Sequence, residues 1–304
     1  MMVSLLPFRQ HVELPFQPVG DFDHGDVWQK RGDVFIANTT AGTIEVVDGA
    51  SLHHKTTIPG CPEASGVLVA QEDALVFAAA RGAGKLLVID PETTTVRRSI
   101  AVGSRPNGLA WDSLRHHLLV ADVQDNAARL VDPQAGQVIA TISLPGRPRW
   151  AVYDQRGDRF LVNIREPAMV AVLDTETAAL IEQFPVSVSG PHGLDLDQEG
   201  RRAFVACDGG CVVILDISTG SETSRIAIAG IPDAIWHHHR LSRLYVAIKD
   251  PGVIEVVNTM TMAVEQQIPT EPGTHTTAFD GLRQRLFVFL PSCRVAVYEI
   301  SEVG

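Results

Sequence analysis

The sequence predicts an all-β ring of seven four-stranded blades, and three observations predict it. A short apolar run ending in an acid or amide recurs along the chain. It reads TIEVVD ending at Asp48, KLLVID at Asp90, AARLVD at Asp132, MVAVLD at Asp174, CVVILD at Asp216, VIEVVN at Asn258 and RVAVYE at Glu299. Successive ends lie 42 residues apart five times and 41 once, a regularity that chance clustering of apolar residues does not hold. Each run is preceded by a second β-rich run, as in VFIAN (34–38), LLVAD (118–122) and LYVAI (244–248). Finally, no segment sustains a helical period, which removes α-solenoids, and the repeat is too long for a β-helix turn. Four strands in a repeat of about 42 residues is the arithmetic of a β-propeller.

The strands of a unit follow in order. An opening strand reads RPNGLAWD (105–112) or GPHGLDLD (190–197). The second and third are the β-branched and aromatic runs above, bounded by turn residues. A fourth closes the unit, as in TISLP (141–145) and SRIAIAG (224–230). The seventh unit stops after its third strand. HVELP (11–15) resembles TISLP and precedes the first unit, so residues 9–15 are predicted to pair with 294–299. That pairing covers an edge that would otherwise template aggregation.

The totals agree with one propeller domain over residues 1–304. Hydrophobic residues make up 45% of the chain and charged residues 20%, enough for a core and too little charge for disorder. The net charge of −11 repels a phosphate backbone, so no nucleic-acid partner is expected. No run of about 18 apolar residues offers a membrane span. The start MMVSLLPFRQ lacks the parts of a signal peptide. The chain is expected in the cytoplasm, or in the periplasm or outside the cell if a leader was removed. Four cysteines are too few for a disulfide scaffold.

The units resemble the YVTN-type repeats of seven-bladed propellers, through phrases such as GLAWDSLRHHLLVAD (108–122) and AIWHHHRLSRLYVAI (234–248). LVAD, LVNI and YVAI stand where YVTN itself would be. Trp-Asp occurs once, at 111–112, and no Gly-His repeats, which disfavours WD40 repeats. The resemblance implies a path in which the inner strand starts at the upper face, where the loop between second and third strands also lies.

On that path, aligned openings bring His24, Ser65, Asn107, Arg149, His192, Asp233 and His275 to the upper channel mouth. Their spacings run 41, 42, 42, 43, 41 and 42, and all seven are polar. His24, His192, Asp233 and His275 come from adjacent blades once the ring closes. Imidazoles and a carboxylate suit a divalent metal with open positions for water or substrate. Without metal, His192 and His275 suit acid–base work. Asn107 and Arg149, with Arg165 near in sequence, suit a carboxylate or phosphate. Asp122, Arg165 and Glu166 join as loop candidates, chosen over Asn38, Arg81, Asp125, Asp208 and Lys249. The opposing account is that the polar ring merely solvates the channel and caps turns.

His237, His238 and His239 are expected at a lower turn as exposed histidines, and Cys207 and Cys211 as ordinary buried thiols. There is no GxxxxGK[ST], no GxSxG and no CxxCH. GPHGLDLD is similar in wording to streptogramin lyases, and seven-bladed lactonases share the architecture. That likeness implies metal- or histidine-dependent hydrolase or lyase chemistry on an anionic small molecule. The alternative is a non-catalytic scaffold for protein partners.

Overall fold

The computed structural model describes residues 4–302. Seven four-stranded antiparallel sheets form the ring, each ordered from inner to outer strand. Blades 1 to 6 are built from consecutive strands. The inner strands are Phe22–Trp28, Ala64–Ala70, Pro106–Asp112, Pro148–Asp154, Pro191–Asp197 and Pro232–His238. Blade 7 starts at Thr277–Asp280, and its outer strand is the N-terminal Phe8–Glu13.

Closure therefore joins the two ends of the chain. Phe8 pairs with Tyr298, Gln10 with Val297 and Glu13 with Arg294, and the Leu14 amide continues the ladder to the Cys293 carbonyl at 3.0 Å. Val12 and Leu14 bury their side chains with Phe287, Phe289, Val295 and Val297. The strand runs Phe8–Glu13, beginning one residue before the expected 9–15 and ending two residues short of it.

The core lies between sheets, packed face to face by residues such as Phe35, Phe77, Phe160 and Phe204. The recurring acid has a local cause. Asp48 Oδ1 accepts from the amides of Ala50 and Ser51 at 3.0 and 2.7 Å. Asp90, Asp132, Asp174, Asp216 and Asn258 do the same two and three residues on. Each caps the turn into its outer strand. Glu299, with no such turn to cap, pairs instead with Arg9 and Arg285.

Six inner strands share one irregularity. The register shifts between Phe22 and Gly25, Ala64 and Val67, Pro106 and Leu109, Pro148 and Ala151, Pro191 and Leu194, and Pro232 and Ile235. Bulges of this kind bend a strand and re-aim its side chains. The residue after the first pair is Asp23, Ser65, Asn107, Arg149, His192 or Asp233. These are the strand-opening residues predicted from spacing, with one correction. In blade 1 the equivalent position is Asp23, not His24.

The error has a physical source. His24-Gly25 looks like Asn107-Gly108 and His192-Gly193, but the glycines answer to different neighbours. A Cβ on Gly66, Gly108 or Gly193 would sit about 2 Å from the carbonyl of Asn107, Arg149 or Asp233 in the next blade. Gly25 instead makes room for the Phe289 ring. Counting back from the second strand avoids the confusion. His192 stands fifteen residues before Cys207 and Asn107 fifteen before Asp122; fifteen before Asn38 is Asp23.

Candidate functional site

The bulges of blades 1, 3, 4, 5 and 6, and the segment before the inner strand of blade 7, surround a cavity of about 450 Å³ at one end of the channel. Asp23, His24, Asn107, Arg149, His192, Asp233 and His275 all line it. Ser65 does not. It is fully buried, and its hydroxyl donates to the carbonyls of Pro106 and Ala79 at 3.0 and 3.3 Å. His24 reaches the cavity from the next position along, where other blades carry glycine, alanine or threonine and blade 4 carries Trp150. It stacks on Trp150, ring centroids 4.1 Å apart. The pair also borders a second channel cavity, of about 320 Å³.

The second-to-third loops contribute from above, but not all those expected. Arg165 lines the cavity; so do Arg81, Asp208 and Lys249, which were passed over as ordinary turn residues. Asp122 does not line it. Its carboxylate is fully buried and accepts from the amides of Arg105, Gln124 and Asp125 and from Arg129, so it caps its own loop. Glu166 lies outside too, in a recess lined with Arg147 and Arg165. Asp21 joins Asp23, Asp208 and Asp233 as the acids of the cavity. Loop sequence alone does not separate a carboxylate that caps a turn from one that faces the axis.

His192 is held on both sides. Its Nδ1 lies 3.1 Å from Asp208 Oδ1, and Arg149 Nη2 donates to its Nε2. An arginine cannot accept, so the ring carries its proton on Nδ1. Asp208 also holds Arg165, at 2.6 Å. Burial works to raise the Asp208 carboxyl, but His192, Arg165 and Arg149 outweigh it and hold the group below its ordinary range. His275 donates from Nδ1 to the Gly273 carbonyl at 2.7 Å, leaving Nε2 toward Asp233 Oδ2, 3.9 Å away.

Asp233 is the centre of the cluster. It is 8% exposed, with His192 Nε2 at 3.3 Å from Oδ1. Burial raises its carboxyl, and the positive charge of His192 and His275 when protonated, with that of Arg149, outweighs it and holds the group below its ordinary range. Burial keeps His24 neutral by lowering its pKa, despite Asp23 at 3.3 Å. Arg149 has no carboxylate within ion-pair distance among the described residues, and its Nε is buried without an acceptor. Asn107, 4% exposed, likewise has an unsatisfied Oδ1.

The four residues expected to bind a metal, His24, His192, Asp233 and His275, thus share one cavity. Yet no group of three or more His, Cys, Asp or Glu among the described residues is disposed to hold a metal ion. The guanidinium of Arg149 stands against the His192 nitrogen that would ligate. At the other end of the channel, His238 departs from expectation. It is buried, with Nε2 at 2.7 Å from Gln284 Oε1, and His237 is pushed down to about 4 by burial. Cys207 and Cys211 face one another across a hairpin as free thiols, and burial raises Cys207 to about 12.

No helix among the described residues is long and apolar enough to cross a membrane. No family model matches the chain. It is 23% identical over 168 residues to the uncharacterized protein YncE of Salmonella typhi, and equally to that of Salmonella typhimurium strain LT2. The match spans 54% of this chain and 47% of each relative, so it covers about half the length of those proteins. Among solved structures, a hydrazine synthase chain of Kuenenia stuttgartiensis superposes with a TM-score of 0.84 at 13% identity, over 93% of this chain and 96% of that one. At that identity the likeness speaks for fold, and the fold is a seven-bladed β-propeller.

Proposed function

We propose that this propeller binds a small anionic molecule in the 450 Å³ cavity, with Arg149 as its main anion contact. One observation carries the reading: a half-buried guanidinium lining the cavity, with no carboxylate partner among the described residues and an unsatisfied Nε. Arginine gives planar, bidentate recognition of carboxylate or phosphate. Asn107 and Arg165 flank it as further contacts. We take the metal-free form of the site, since His192 already accepts from Arg149. Proton-transfer chemistry of a hydrolase or lyase then falls to His275, whose Nε2 faces the cavity, with His192 a positioning group. The YVTN-type resemblance adds a repeat class to this proposal and no activity.

The test is thermal stability of the chain with and without millimolar succinate or inorganic phosphate. At least one anion should raise Tm, and Arg149→Ala should remove the shift. If neither anion moves Tm, the ligand reading gives way to the protein-binding scaffold.

A further inference from the structure

The cavity asks for more than an anion. Neither carboxylate oxygen of Asp233 accepts a hydrogen bond among the described residues, although the residue lines the cavity and is 8% exposed. Its nearest basic neighbours offer no donor in their neutral forms. His192 has spent its proton on Asp208 and takes an N–H from Arg149 at Nε2. His275 has spent its proton on the Gly273 carbonyl. The Oδ1 of Asn107, in blade 3 beside Arg149, is also without a donor. The cavity therefore holds unmet acceptors on Asp233 and Asn107, while the guanidinium supplies donors. A buried acceptor left unmade is costly, more so when charged.

From this we infer that the ligand is an acid that also carries a hydrogen-bond donor, a hydroxyl or an ammonium, seated on Asp233 while its anionic group meets Arg149. The inference rests on the anion reading above and narrows it to hydroxy acids and amino acids. Ligands of this class match the site because one end is all acceptor and the other presents donors to Asp233 and Asn107.

Succinate, malate and aspartate share one four-carbon diacid skeleton and differ at C2 by hydrogen, hydroxyl and ammonium. Calorimetric titration of the chelator-treated full chain with each separates the two ideas. Malate or aspartate should bind at least about tenfold more tightly than succinate, the worth of a hydrogen bond to a charged group. Asp233→Ala should bring the three within about twofold while succinate still binds, and Asn107→Ala should narrow the gap independently. Equal affinities in the unaltered chain overturn the inference and leave the anion reading standing. No binding by any of the three overturns both. A preference seen only after adding a divalent cation overturns the inference in favour of a metal.

Discussion

At the residue scale, the aspartates that end the inner strands do more than cap turns. Asp154 is fully buried and accepts from the Gly157 amide, from Arg159 Nε, and from both terminal nitrogens of Arg201 in the next blade at 2.8 and 3.0 Å. Burial raises its carboxyl, and Arg201, the Gly157 amide and Arg159 outweigh it, so it is held below the usual range. Asp154→Ala leaves two partly buried guanidinium groups without their acceptor. The expected cost is about 3 kcal/mol of unfolding free energy, read by chemical denaturation. A loss under about 1 kcal/mol would mean that the pair is solvated and adds little. The same scale holds the least legible feature of the site. Asp23 and His24 are adjacent in sequence; matching the residue before glycine selects His24, whereas strand register, like the count back from the second strand, makes Asp23 the equivalent of His192.

At the scale of the element, the N-terminal strand is the test of closure. It pairs along its length with the third strand of blade 7 and buries Val12 and Leu14. Removing the chain through Leu14 exposes an unpaired edge and uncovers Phe287 and Phe289. Tm should fall by about 10 °C or more, in a single transition, because several kcal/mol are lost from a ring that unfolds as a unit. Size-exclusion chromatography of the shortened chain should show self-association. A modest, separate low-temperature transition would show instead that only blade 7 depends on the strand. This element was legible in the sequence because HVELP repeats the pattern of an outer strand and the last unit lacks one. Its start and the shared bulges were not, since a register shift leaves no mark in hydrophobic alternation.

For the whole molecule, two sets of carboxyls oppose one another with pH. Asp26 and Asp195 occupy matching places in blades 1 and 5 and border the second channel cavity. Burial pushes each from an ordinary 3.8 to about 6, against backbone amides that pull the other way. A carboxyl raised in the folded state favours folding most below its unfolded pKa, and that advantage is lost as pH rises through about 6. The loss is about 3 kcal/mol for each. Asp154, Asp197, Asp208 and Asp233 are held low, so their contribution is present above about 4 and is lost as pH falls. The carboxyl contribution to unfolding free energy should therefore be greatest near pH 4 and decline toward pH 6, partly offset there by His24 and His237, whose burial favours their neutral forms. A profile still rising at pH 8 would contradict the assignment for Asp26 and Asp195, as would carboxyl resonances of these two residues titrating near 4.

The sequence by itself determined the repeat, the number of blades and the closure by both ends of the chain. These follow from composition at a fixed period, and a period survives without coordinates. It also determined that polar groups open the inner strands. Only the tertiary structure decided which of those groups share a cavity. That choice depends on bulge register, on which carboxylate a neighbouring amide has already taken, and on guanidinium groups brought in from other blades. Asp122 turns inward to its own loop, while Asp208, one place further along its unit, meets the His192 ring that Arg149 of the neighbouring blade holds from the other side. Interactions between residues far apart in the chain settle such matters, and local pattern carries no record of them.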